Sequence, residues 1–231
     1  MSYFDHFADP GTTRIGNWIV KRIVQTEFHL MHPYLRDPEI AILEIGPGMG
    51  ELGEKFLQSG YHDYTGIEPN LRMRERLTQR GFTVRDYQVP PLKEPDSEYD
   101  FIVLSNVFEH FNDTRDALSF MVDTHRVLRP GGRVCIFSPD YLHWKEEFFN
   151  SDYTHSNVTS VRRTIQLFHD SGFRVCHYGY LSGFFTGFMA TLFSQLVKIL
   201  LYFVDSNGLD KKYFKLKTTF LRRFIVIGEK K

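Results

Sequence analysis

Leu43-Glu44-Ile45-Gly46-Pro47-Gly48-Met49-Gly50-Glu51 is the stretch whose reading decides the fold. It closes the run Ile40-Ala41-Ile42-Leu43-Glu44-Ile45, which is short and apolar on successive residues. Such a run reads as a strand buried on both faces of a parallel sheet. Glycines at 46, 48 and 50 let the backbone turn sharply and let a ligand approach with no Cβ in the way. The helix expected over 50–59, ended by Gly60, begins there with free N–H groups. A dinucleotide loop of the form G-x-G-x-x-G needs glycine at 51, where this chain has Glu51. A carboxylate repels a pyrophosphate and attracts a cation. Gly46, Gly48 and Gly50, with Glu44 and Glu51 beside them, therefore favour a cationic ligand.

Outward from this loop the chain alternates. Strands are expected over 64–68, 82–85, 101–105 and 133–138, and helices over 71–80 and 113–128. Pro90, Pro91 and Pro95 mark a loop, and Pro130-Gly131-Gly132 reads as a turn. A helix over 160–171 precedes a strand over 173–178, and a last strand covers 224–228. The pattern predicts an α/β protein with a doubly wound, seven-stranded, mostly parallel sheet. Ahead of the sheet, Ile15, Ile19 and Ile23 recur at i+4 and Pro33 closes the series, which predicts a helical cap within 12–35. One domain over 1–231 is expected: a helical cap (1–39), a cofactor-binding core (40–178), an apolar and basic helical insert (179–221) and a last strand (222–231).

Bulk properties narrow the function. Apolar residues make up 42% of the chain, which excludes wholesale disorder. A formal net charge of zero gives no electrostatic case for nucleic acid. Cys135 and Cys176 both fall in apolar strand-like runs, lack metal-site spacing, and read as reduced core thiols of a cytoplasmic protein. Met1–Pro10 carries Asp5 and Asp9 and has no apolar core, so it does not read as a signal peptide.

Two strand-end acids complete the pattern. Ligands of doubly wound sheets bind at the carboxyl ends of the strands. Glu68, in Gly66-Ile67-Glu68-Pro69-Asn70, ends the second strand and is placed to accept two ribose hydroxyls. Asp86 ends the third and is placed to accept from an exocyclic amine.

Four motifs taken together, at strand–helix spacing, resemble class I S-adenosylmethionine-dependent methyltransferases of the small-molecule branch. They are LEIGPGMGE (43–51), GIEPN (66–70), YDFIVLSNVFEHF (99–111) and LRPGGRVCIFSPD (128–140). The resemblance spans roughly residues 40–178. It implies S-adenosyl-L-methionine as cofactor; no metal is expected, because no His/Cys spacing in the chain suits one. Gly46, Gly48 and Gly50 would meet the cofactor's amino-acid part, with Glu44 beside them as a cofactor-binding candidate, Glu68 the ribose, Asp86 the adenine amine, and Ser105 with Asn106 the methionine end. Glu68 stands where aspartate is commoner, which leaves ribose binding intact.

The methyl acceptor is less legible. Transfer to a hydroxyl calls for proton removal, which suits histidine. His155, in Asp152-Tyr153-Thr154-His155 after the fifth strand, ranks first, and His110 in Phe108-Glu109-His110-Phe111 ranks second. His143 and Trp144 are candidates for the same pocket. Residues 184–204 form a long apolar stretch with Gly187, Thr191, Ser194 and Lys198 on one helical stripe, followed by Lys211, Lys212, Lys215, Lys217, Arg222 and Arg223. Gln195 and Lys198, which interrupt it, and the need to complete the sheet argue against a transmembrane span. Burial within the protein or in a homodimer is favoured over contact with an anionic membrane surface, which would make the protein peripheral to an inner membrane face. The leading expectation is O-methylation of a hydroxylated metabolite, such as a saccharide or lipid-linked glycan precursor. The alternatives are N- or C-methylation of another small molecule, or a non-catalytic cofactor-binding partner.

Overall fold

The computed structural model describes residues 13–200 and 211–231, the side chains of 211–215 excepted. The expectations for Met1–Pro10, for residues 201–204 and for the side chains of Lys211, Lys212 and Lys215 lie outside that range.

Helix α1 (Arg14–Met31) starts at Thr13, whose Oγ1 accepts from the Gly16 N–H at 3.1 Å. It gives way to a 3-10 turn, His32–Tyr34, because Pro33 has no N–H to continue the ladder. Its inner face buries Glu27, Phe28 and Met31, and Phe28 packs edge-on against Phe56 at 5.7 Å.

The sheet is built from β1 (Ile42–Ile45), β2 (Tyr64–Ile67), β3 (Thr83–Arg85), β4 (Tyr99–Ser105), β5 (Leu128–Pro139), β6 (Phe173–Ser182), β7 (Phe185–Thr186) and β8 (Arg223–Lys230). Their order is β3-β2-β1-β4-β5-β8-β6-β7. The pairs from β3 to β5 are parallel, and β8 runs antiparallel to both β5 and β6. The connecting helices are α2 (Glu51–Gln58), α3 (Leu71–Gln79), α4 (Thr114–Val127), α5 (Tyr141–Trp144), α6 (Glu147–Ser151), α7 (Val161–Asp170), α8 (Gly187–Leu200) and α9 (Lys211–Phe220). Period-two alternation divides the core between the sheet's faces. Leu43, Ile45, Ile102 and Leu104 pack with Phe120 and Phe168 of α4 and α7. Ile42, Phe101, Val103 and Cys135 pack with Phe28 and Phe56 of α1 and α2. Each such side chain contributes about 1.5–3 kcal/mol by leaving water.

Several expectations are corrected. Among the described residues the sheet has eight strands, because residues 185–186 fold back on the end of β6, pairing Leu181 with Thr186 and Ser182 with Phe185. That hairpin uses the start of the apolar stretch, so α8 begins at Gly187 and not at 184. Pro130-Gly131-Gly132 lies inside β5, where pairing with β4 shifts register between Tyr99 and Phe101. The glycines admit an irregularity and do not end the strand. β6 runs to Ser182 because β8 pairs with it along its length. Cys135 is buried as expected, but Cys176 is partly exposed, at the point where the β6–β8 register shifts between Val175 and His177. β8 separates β5 from β6, and both thiols are free. Among the described residues no helix is long and apolar enough to cross a membrane.

Candidate active site

The sheet order reverses direction between β1 and β4, and the loops beyond their carboxyl ends enclose a cleft of about 610 Å³. The glycine loop forms one wall. Gly46 has φ +67°, and a Cβ there would meet Val107 Cγ2 at 2.6 Å, so a side chain would be strained and blocked. Gly48, at φ +56°, has no atom within 4 Å of where its Cβ would be, so its backbone faces open space.

Glu68 lies opposite. Its Oε2 accepts from the Gly48 N–H at 3.1 Å and its Oε1 from the Asn70 N–H at 2.9 Å. These bonds hold the carboxylate in one orientation and leave each oxygen a further lone pair. Burial raises its pKa while the two N–H groups work against that rise. Ile67, Leu71, Met73, Val89, Val107 and Phe111 supply apolar wall. Among the described residues that line the cleft there is no lysine or arginine to pair with a phosphate.

A second chamber of about 580 Å³ adjoins the cleft. The two share Asn106 and His110. Asn106 adopts a left-handed conformation, φ 55°, at the junction itself. Val20, Ile23, Val24 and Trp144 give the chamber its apolar side. Its ionisable side is Glu27, Glu109, Asp152 and Arg223, with His110 and His155.

The backbone brings His155 back to His110. The N–H groups of Ser156 and Asn157 both donate to the Glu109 carbonyl at 3.1 Å, and Asn157 Nδ2 donates to the Phe108 carbonyl at 2.9 Å. The segment after α6 is thereby fastened to the 3-10 turn Phe108–His110, and the two imidazole centroids lie 4.8 Å apart. Thr154 Oγ1 donates to Asp152 at 2.7 Å, so it must accept from His110 Nδ1, also at 2.7 Å. His155 Nδ1 lies 2.6 Å from the Phe148 carbonyl, which accepts only from an N–H. Both rings thus carry their proton on Nδ1. Burial, with His155 close by, lowers His110 to about 4, and burial lowers His155 as well. Burial pushes Glu109 up to about 7 against the pull of its bond from Ser138.

Of the residues singled out in the sequence, Gly46, Gly48 and Glu68 line the cleft, Ser105 and His155 line the chamber, and Asn106 and His110 line both. Glu44 is buried behind the loop, where the Tyr64 hydroxyl donates to it at 2.6 Å and burial pushes it up to about 8. Gly50 starts α2 and packs against Leu77. Asp86 is largely exposed and pairs with Arg74 at 2.7 Å, whereas its neighbour Tyr87 lines the cleft. Trp144 lines the chamber, and His143 is buried beside α8, where its carbonyl accepts from Lys198.

Sequence reasoning missed Glu109, Glu27 and Arg223. The last two form a buried ion pair at 2.7 Å. A signal for Glu27 was present: it continues the i+4 series Ile15, Ile19, Ile23, so a carboxylate takes the next place on the inward face of α1.

The sheet order, the glycine loop after β1 and the oriented acid after β2 define a Rossmann-like methyltransferase fold. A family described as a methyltransferase domain matches residues 19–178, and the chain belongs to this family of class I S-adenosylmethionine-dependent methyltransferases. It is similar to an uncharacterized methyltransferase, YrrT, of Bacillus subtilis strain 168, at 26% identity over 148 residues. That match spans 63% of this chain and 62% of the relative's length. Two solved structures share the fold. A chain in the complex of the Haloferax volcanii Trm112 methyltransferase activator with a methyltransferase superposes at a TM-score of 0.72 and 14% identity, covering 99% of this chain and 98% of that one. An S-adenosylmethionine-dependent methyltransferase of Archaeoglobus fulgidus gives 0.66 and 20%, covering 91% and 94%. The cleft fits the family's cofactor: it offers oriented carboxylate oxygens, apolar wall and open glycine backbone, and no lysine or arginine among the described residues.

Proposed function

We propose that this protein methylates a hydroxyl of a small oxygenated metabolite, a saccharide or lipid-linked glycan precursor being the class favoured. The observation that carries the reading is the pair of cavities meeting at Asn106 and His110, with His155 on the acceptor side. S-adenosylmethionine, when bound, supplies a methyl group on an electrophilic sulfonium. Glu68 would hold the ribose hydroxyls, and Gly46 and Gly48 would leave room for the amino-acid part. Asn106 would separate donor from acceptor and help align them. His110 and His155 stand where an acceptor hydroxyl must lose its proton. Arg223 Nη2 is buried with no hydrogen-bond partner among the described residues, and a donor so placed suits an acceptor oxygen.

A second reading has its own support. Among the described residues, three carboxylates (Glu27, Glu109 and Asp152) line the chamber against one guanidinium, that of Arg223, which would also suit a cationic amine.

Thermal denaturation tests the donor side. S-adenosylmethionine or S-adenosylhomocysteine at 100 times its Kd should raise Tm by about 5–10 °C, and NAD should not. A shift with NAD alone would overturn the reading. Release of S-adenosylhomocysteine across acceptor classes tests the other side: hydroxylated saccharides should support it, and release with amines alone would select the second reading.

Helix α8 supports a place at a membrane surface. Its small and polar stripe faces inward, with Ala190 and Ser194 buried and Lys198 Nζ donating to the His143 carbonyl. The broad apolar face is left outside, so the expectation of burial within the chain is corrected. Phe188 is 79% exposed and Leu200 71%, and Met189, Leu192, Leu196 and Ile199 are exposed with them. Trp18 of α1, in ring contact with Phe184 at 5.7 Å, extends the patch, and Arg14, Lys21 and Arg22 are exposed on the same helix. An apolar face beside exposed bases, with no acid anywhere on α8, suits an anionic lipid surface. The protein is expected to sediment with phosphatidylglycerol vesicles, more weakly at high salt, and the double variant F188D/L196D to stay in solution. A concentration-dependent dimer lost in that variant, without vesicle binding, would identify the face as a subunit interface instead.

A further inference from the structure

Glu109, His110 and His155 each offer a ligand atom, and these three atoms lie within 4.8 Å of one another. Glu109 and His155 are buried, and the cluster opens on the acceptor chamber. A divalent ion binding each atom at about 2.0–2.2 Å holds such ligands about 3.4 Å apart, so from separations of up to 4.8 Å the atoms close by up to roughly 1.4 Å through side-chain adjustment.

The surroundings are those of a ligand set. A metal-binding histidine presents one ring nitrogen and donates the other N–H to a fixed acceptor, which sets the tautomer. Here His155 Nδ1 donates to the Phe148 carbonyl, and His110 Nδ1 donates to Thr154 Oγ1, which hands on its own proton to Asp152. Nε2 is therefore the lone-pair atom of each ring. Ser138 Oγ donates to Glu109 Oε2 at 2.8 Å and orients that carboxylate. The field is favourable too: Asp152 faces the cluster, and the charge of Arg223 is answered by Glu27 at 2.7 Å.

We infer that Glu109, His110 and His155 form a binding site for one divalent transition-type cation, with its remaining coordination positions open to the acceptor. This replaces the sequence-based expectation of no metal. Two imidazoles and one carboxylate suit Zn²⁺, Co²⁺, Mn²⁺ or Fe²⁺ better than Mg²⁺ or Ca²⁺, which take oxygen ligands. What the cation does rests on the acceptor reading above, but its binding does not. An acceptor hydroxyl that completes the coordination would release its proton to water more readily. The O–H bond would break with its proton passing to water, and the oxygen would form O–CH₃ as the donor's S–CH₃ bond breaks and S-adenosylhomocysteine leaves. In that state the histidines hold the cation and accept no proton.

The test is a titration of the tag-free full chain with CoCl₂, without cofactor, followed by calorimetry and visible absorption. One site per chain is expected, with the absorption of a nitrogen- and oxygen-ligated ion. Affinity should fall at least tenfold in Glu109→Gln, which is isosteric and keeps the bond from Ser138, and in His155→Ala, both checked for folding by circular dichroism. His29→Ala, at an exposed position on α1, should bind as the parent does. Absence of cobalt binding, or equal binding in the folded Glu109→Gln and His155→Ala variants, would overturn the site. Hydroxyl methylation by a protein that binds no cobalt leaves the acceptor reading standing without the metal. Cobalt binding at this cluster in a protein that methylates only amines leaves the metal standing without the acceptor reading.

Discussion

Replacing His155 with alanine is expected to lower methyl-transfer turnover by roughly 10²–10⁴-fold, the usual range for proton transfer by a positioned group. This ring lines the chamber proposed for the acceptor and not the cleft that holds the glycine loop and Glu68. Affinity for S-adenosylhomocysteine should therefore stay within about twofold of the parent, so the loss appears in the rate and not in cofactor binding. His110→Ala should behave differently, because His110 borders both cavities: cofactor affinity and turnover should fall together. Single-turnover kinetics and calorimetry on both variants separate the two. Full turnover in His155→Ala would show that the acceptor's proton leaves elsewhere and would favour an acceptor that is already nucleophilic. The same variant removes a ligand from the proposed cation site, and the cobalt titration reports that loss independently of the reaction.

Glu68→Ala should weaken cofactor binding by roughly 10²–10⁴-fold. Two hydrogen bonds to a charged acceptor would go, each worth about 1.5–3 kcal/mol. The same carboxylate receives the N–H groups of Gly48 and Asn70, so its removal also loosens the loop that faces it. Glu68→Gln distinguishes the two contributions. Its amide oxygen can retain one of the backbone bonds, so a large loss in this variant would trace to the charge. Calorimetry that finds unchanged affinity in the alanine variant would place the ribose elsewhere.

Much of this architecture was legible because its causes are local. Successive apolar residues at 40–45, glycines at fixed offsets and the recurring strand–helix period announce a parallel doubly wound sheet whatever surrounds them. The strand-end position of Glu68 follows from the same local pattern, and the structure places it in the cleft wall. Asp86 shows the limit of that logic: it too ends a strand, but Arg74 at 2.7 Å holds it at the surface while Tyr87 lines the cleft. The eighth strand and the start of α8 were unreadable for a related reason. Residues 184–186 are equally apolar as helix or hairpin, and only the free edge of β6 decides between them.

By itself the sequence determined what depends on near neighbours along the chain: the alternation of strands and helices, the glycine loop, the acid after β2, and the candidate histidine His110 after β4. Tertiary structure alone decided what depends on distant segments meeting. Glu27 and Arg223 are far apart in the chain yet form a buried pair, because α1 and β8 close over the same chamber. His155 reaches His110 and Glu109 because backbone N–H groups that would otherwise be left without partners bond to the Glu109 carbonyl. The outward apolar face of α8 was decided the same way: small side chains at 190 and 194 admit close packing on β6, and Lys198 finds a buried carbonyl, so the narrow polar stripe turns inward. A helical period shows that a helix has two faces, and which of them meets the protein is settled by the shape and hydrogen-bonding needs of the surface it packs against.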